Sequence, residues 1–102
     1  MQSYVLSKEA EKDLREIAQY TLNKWGDIAF KKYKSGLSKK LNDIGNHLII
    51  ERHFSKRYPQ LLVTKYRYHF IFYLKNRVNK PVIIGVIHEQ RHIVNRLKNR
   101  LS

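Results

Sequence analysis

Apolar residues follow two different rhythms along this chain. From Ala10 they recur as Leu14, Ile17, Ala18, Thr21 and Trp25, one face of a 3.6-residue period. Ser7 precedes the stripe as an N-cap oxygen, Glu9 and Glu11 fall where first-turn carboxylates suit the helix dipole, and Gly26 supplies a stop. The pattern predicts a helix of about five turns. Asp27 is placed to cap a second helix, with Phe30, Tyr33, Leu37, Leu41 and Ile44 on one stripe and Lys31, Lys32, Lys34, Lys39 and Lys40 pointing away, ending at Gly45 and Asn46. Joined at Trp25, Gly26 and Asp27, the two helices form an antiparallel hairpin.

After Leu48 the period shortens. A polar, basic connection with Arg52, His53, Lys56 and Arg57 leads to Pro59. The stretches Leu61 to Tyr66, Tyr68 to Leu74 and Val82 to His88 are then rich in β-branched and aromatic residues and predict three strands. In the middle one, Tyr68, Phe70, Phe72 and Leu74 share one side and His69, Ile71 and Tyr73 the other, so both faces are apolar and the strand is central. Lys75 to Pro81 forms the hairpin into the last strand, and Tyr4 to Leu6 is a short β-prone stretch ahead of the first helix. In the tail, Ile93, Val94, Leu97 and Leu101 face one way and Arg91, Arg96, Lys98 and Arg100 the others, as in a short amphipathic helix. The expected architecture is an α+β domain, β-α-α-β-β-β, with the helical hairpin packed on one face of a mostly antiparallel sheet and a short basic C-terminal helix.

At 102 residues the chain has room for one small domain, residues 1 to 102, with a thin core. Without Cys there is no disulfide framework, no thiolate metal site and no thiol nucleophile, which fits a reducing, cytoplasmic setting. The longest apolar run, Val82 to Ile87, is far short of a membrane span, and Lys8, Glu9, Glu11 and Lys12 interrupt any signal segment, so no membrane or targeting role is expected.

Charge is divided unevenly. Residues 1–51 carry nine Lys/Arg against seven Asp/Glu, whereas residues 52–102 carry twelve against Glu89 alone. So basic a half marks a surface for a polyanion or an acidic protein. Lys56, Arg57, Lys65, Arg67, Arg91, His92, Arg96, Lys98 and Arg100 supply its charge, and Tyr58, Tyr66 and Tyr68 are interleaved with them as stacking platforms. A plain nucleic-acid-binding module and a solvated basic face are the alternatives that charge leaves open. Acid/base chemistry on RNA is a second line: Glu51, Arg67, His69 and His88 are the residue types needed to take a proton, stabilise a phosphorane and protonate a leaving oxygen. His88 and His92 have i, i+4 spacing but no accompanying carboxylates, and no phosphate loop or Ser nucleophile motif occurs, so no metal or cofactor is expected.

One ordered set of features resembles a known family. Tyr4-Val-Leu-Ser7, Ala10 to Leu14, Ile17 with Tyr20-Thr21, Lys24-Trp25-Gly26, Tyr33, Tyr58-Pro59, Tyr68 to Phe72, Ile87-His88-Glu89 and Arg96 to Leu101 resemble the ParE toxins of the RelE/ParE toxin-antitoxin superfamily, nearly end to end. The nearest likeness is to plasmid-type toxins that end in His-Glu and a Leu-rich basic tail. The resemblance implies a non-enzymatic toxin that traps DNA gyrase on DNA and blocks replication. It implies as partner a cognate acidic antitoxin whose disordered segment wraps the toxin in a hetero-oligomer, with DNA contacted through the complex. Antitoxin contacts are expected at Leu14, Ile17, Tyr20, Phe70 and Phe72, and target or nucleic-acid contacts at Lys56, Arg57, Lys65, Arg67, His88, Arg91, His92, Arg96 and Arg100. The related RelE branch cleaves mRNA on the ribosome, which would assign catalysis to Glu51, Arg67 and His88. Two departures are visible: Glu89 follows His88 where RelE-type nucleases place Tyr, His or Phe, and Arg91 and His92 stand where ParE sequences often carry Met-Asp.

Overall fold

The computed structural model describes residues 2–75, 79–98, 100 and 101. In order, the elements are β1 (Val5–Leu6), α1 (Lys8–Gly45), β2 (His53–Ser55), β3 (Tyr58–Tyr66), β4 (His69–Leu74), β5 (Val82–His88) and α2 (Ile93–Lys98). The expected α+β plan holds.

Ser7 caps α1, its side chain accepting from the Ala10 N–H at 3.1 Å. A straight helix of 38 residues would run about 57 Å at 1.5 Å per residue, yet the molecule's longest extent is 38 Å. The helix folds back at Gly26, the one residue with non-helical angles (φ 85°, ψ −177°). Its far end returns to its start: the Ser3 hydroxyl donates to the Asn42 carbonyl, and Gly45 lies against the Ser3 backbone. The predicted hairpin is therefore present as two arms, residues 8–25 and 27–45, hinged on a single glycine. Trp25 is the exception to the predicted stripe. It is exposed, because the arm has by then run past the sheet.

The sheet has five strands in the order β1-β5-β4-β3-β2. Only β1 and β5 pair in parallel; the other pairs are antiparallel. β4 is central, as its two apolar faces require. Ile71 and Tyr73 pack with Ala10, Leu37, Leu41 and Ile44 beneath the helical hairpin, while Phe72 packs with Leu61, Ile84 and Ile87 on the reverse face. There α2 covers them with Leu97 and Ile93, followed by Leu101. Each such side chain taken fully from water contributes about 1.5–3 kcal/mol, so the sheet is held from both sides.

Two expectations need correction. The basic connection contains a further strand, β2, pairing His53 with Leu62 and Ser55 with Tyr58 around a tight turn whose Arg57 N–H donates to the Ser55 hydroxyl. It escapes the hydrophobic pattern because it is a short edge strand, exposed at His53 and Phe54, where neither face must be apolar. In the tail, Val94 is exposed and Arg100 turns inward, so the apolar stripe is narrower than expected. The predicted hairpin over Lys75 to Pro81 includes residues 76–78, which lie outside the described residues.

Candidate functional site

The β3-β4 turn and the end of β5 gather titratable and aromatic groups at one end of the sheet. Tyr66 pairs with His69 and His69 with His88, so these rings share the face beneath the helical hairpin. Tyr33, on the second arm, reaches down to them. Its hydroxyl lies 2.5 Å from His69 Nδ1, and its ring meets those of Tyr66 and His69 edge-on at 5.2 and 5.7 Å. Burial, then the neighbouring His88, pushes the His69 pKa down to about 4, while burial raises that of Tyr33. A neutral imidazole facing a protonated phenol follows, joined by one hydrogen bond between the Tyr33 hydroxyl and Nδ1.

His88 is the outer member of the group. It crosses the His69 ring edge-on at 5.1 Å, stacks on exposed Tyr68 at 6.4 Å with an interplanar angle of 22°, and accepts the Gln90 N–H at Nδ1. Arg67 occupies the turn at φ 52°, its guanidinium 5.7 Å from the Tyr66 ring centroid. On the other face Lys65 bonds Glu89 at 2.6 Å, and that ammonium holds the Glu89 carboxyl below the usual carboxylate range. The turn therefore presents cations and one stacked ring pair over a neutral histidine.

The expected basic residues do not form one patch. Arg67 and His88 are at the same end of the sheet with Lys65 on its opposite face, and exposed Arg91 follows one turn further on, its N–H donating to the His88 carbonyl. Arg96 lies exposed on α2, and His92 directly precedes that helix. Lys56 and Arg57 occupy the turn at the start of β3, about 25 Å from its far end at ~3.3 Å per residue.

Arg100 is a correction: it is no surface cation. Its guanidinium grips Asp13 through both nitrogens, 2.6 Å to Oδ2 and 3.2 Å to Oδ1, and also donates to the Ile84 carbonyl. Asp13 in turn accepts the Val86 N–H at 3.0 Å. Because β1 accompanies β5 only over Val82 and Ile83, these backbone groups lie on an edge that no strand among the described residues covers. The ion pair stands in for the missing neighbour. Gly85 leaves it room, since a Cβ there would meet the Arg100 guanidinium at 2.7 Å. Asp13 went unrecognised as a functional partner, and at 87 residues' separation from Arg100 no spacing rule links them.

The nuclease trio does not converge either. Glu51 is ion-paired with Lys75 at 2.8 Å and lines a cleft of about 430 Å³ with Ile44, His47, Ile49, Tyr73 and Pro81. That cleft lies at the opposite end of β4, four to six residues or ~13–20 Å along the strand from His69, the partner of His88.

The residues expected to meet an antitoxin lie on different surfaces. Leu14 and Ile17 are half-buried beneath the hairpin, and Tyr20 is exposed. Phe70 and Phe72 are on the reverse face of the sheet, where Phe72 is fully buried with Phe54 edge-on to it at 5.1 Å.

A helical hairpin over a five-stranded, mostly antiparallel sheet, with a C-terminal tail clamped to the sheet edge, defines a small α+β domain. Comparison with known proteins gives this class its family. Residues 4–93 match the family described as the ParE toxin of type II toxin-antitoxin system, parDE. A toxin ParE from Escherichia coli is 28% identical over 102 residues, covering 100% of this chain and 99% of the relative. The chain belongs to the ParE toxin family and is the toxin of a type II toxin-antitoxin pair, with an antitoxin as partner.

Proposed function

We propose that this toxin acts in the cytoplasm by poisoning DNA gyrase, as one domain spanning residues 1 to 102, and that its antitoxin is an acidic chain held in a hetero-oligomer that also contacts DNA. The observation that carries the target is the dispersal of Glu51 from Arg67 and His88 within a ParE-family fold. An RNA-cleaving site needs a base, a cation and an acid around one phosphate, whereas an inhibitor needs only surfaces that fit its target. The charge of +13 favours association with an enzyme already loaded with DNA. Among the described residues no helix is long and apolar enough to cross a membrane. Expression in growing cells tests the target: the reading expects replication to stop and DNA breaks to accumulate while mRNA stays intact.

One observation favours mRNA cleavage as a second reading. His88 stacks on exposed Tyr68, and Arg67 lies over the Tyr66 ring at the same turn, groups of the kinds that hold a phosphate and stack a base. Primer extension on mRNA from arrested cells distinguishes the two, since new 5′ ends that vanish with His88→Gln belong only to the nuclease.

A further inference from the structure

Large apolar side chains are concentrated, exposed, at the tip of the helical hairpin. Tyr20 is 59% exposed, Leu22 37%, Trp25 64% and Ile28 75%, all within nine residues around the Gly26 hinge. Tyr20 and Leu22, two positions apart, stand on opposite sides of the first arm, so exposed apolar groups ring the tip rather than line one packing face. Thr21, within the same stretch, is buried, its hydroxyl donating to the Ile17 carbonyl.

The tip also projects. The Ser7 N–H donates to the Ile83 carbonyl and Asp13 accepts from Val86, so the first arm runs alongside β5 in the same direction. At 1.5 Å per helical residue and ~3.3 Å per strand residue, the end of β5 at His88 is level with about residue 17, and the rest of the arm overhangs by roughly 10 Å. The second arm agrees: Tyr33 is level with His69, which leaves residues 27–32 beyond the sheet. The result is a convex knob.

Its aromatic surface is held in place. Lys24 Nζ donates to the Tyr20 hydroxyl at 3.1 Å and sits 5.5 and 5.4 Å from the Tyr20 and Trp25 ring centroids. That clamp reduces the rotamer freedom the rings would lose on binding. Exposed Lys31 and Lys32 add to Lys24 around the patch, with Asp27 the acidic member. Aromatic and aliphatic groups at the centre with charge at the rim are the composition of a protein-binding hot spot.

We propose that the hairpin tip is a docking knob that inserts Trp25 and Ile28 into an apolar groove rimmed by carboxylates on a folded protein partner. Resting on the reading given above, that partner is gyrase, and the knob rather than the basic tail supplies the hold on it. The lysine rim fits an acidic groove and disfavours a second copy of this +13 chain.

Trp25 is the sole tryptophan, so 5-fluorotryptophan gives a single fluorine resonance located at the tip. Adding purified gyrase holoenzyme should broaden and shift that resonance and protect it from a soluble quencher. The double variant Trp25→Ser, Ile28→Ser should need roughly 30-fold more protein to poison gyrase, with a thermal midpoint within about 2 °C of wild type and unchanged binding to the co-purified antitoxin. Equal poisoning by variant and wild type overturns the inference while leaving the target reading intact. A variant that poisons normally but loses its antitoxin assigns the knob to the antitoxin, and a wild-type dimer that the variant splits assigns it to self-association; each overturns the inference. Wild-type protein with no effect on gyrase overturns the target reading itself, and the docking inference falls with it.

Discussion

Asp13 and Arg100, 87 residues apart, form a buried two-point ion pair that closes the open edge of β5 and ties the C-terminal tail to the first helix. Their side chains are only 7% and 12% exposed, so removing either partner strands a charge away from water. Arg100→Ala should destabilise the protein by about 3 kcal/mol or more, read as a lowered urea midpoint. Loss of protection at the Val86 amide in hydrogen exchange should accompany it. Arg91→Ala and Arg96→Ala, on exposed positions, should each change stability by less than about 0.5 kcal/mol.

Gly26 carries the reversal of α1 at φ 85°, ψ −177°, a region that is essentially glycine's alone. Its position has space, with nothing within 4 Å of a would-be Cβ, so any penalty is purely one of backbone. Gly26→Ala should cost about 2 kcal/mol in chemical denaturation. D-alanine introduced at the same site by chemical synthesis should largely restore stability, because positive φ suits the mirror-image residue.

His69 makes stability depend on pH. Its folded value of about 4 lies below the ordinary 6.5, so on acidification the unfolded chain takes up the proton first. Stability from this group is full above about pH 6.5, is lost as the pH falls, and levels off below about pH 4. After allowance for solvent screening at a half-buried ring the loss should be ~1–2 kcal/mol. Urea midpoints across that range check it. His88→Gln, which removes the neighbouring imidazole that lowers the His69 pKa, should move the His69 titration upward in an NMR experiment.

The helical hairpin was legible because burial against the sheet imposes a 3.6-residue period on Ala10 through Ile44, and Ser7 marks its start. The central strand was legible for the matching reason, apolar residues on both faces of residues 69–74. Trp25 was misplaced because periodicity reports which face a residue shares, and is blind to where the surface beneath that face ends. β2 was missed since an exposed edge strand buries too little to pattern its residues. The basic residues were recognised as a set, but a one-dimensional reading could not tell Arg100, folded inward onto Asp13, from Arg96, left in water. Nor could it show that Glu51 and His88 belong to opposite ends of one strand pair.

His88 accepts a backbone N–H from Gln90 and stacks on Tyr68, contacts a glutamine side chain can partly reproduce. If the toxin works by binding gyrase, His88→Gln should arrest growth as the wild type does, measured as colony counts after induction. Loss of toxicity from a variant that remains folded and still binds gyrase would point to RNA cleavage.

The most direct measurement is titration of purified gyrase with this toxin in supercoiling and DNA-cleavage assays, with and without ATP. Supercoiling should be inhibited and cleaved, gyrase-linked DNA should accumulate, both reversed by the antitoxin. Unchanged supercoiling and no cleaved complex, with a toxin shown to be folded and monodisperse, would contradict gyrase poisoning.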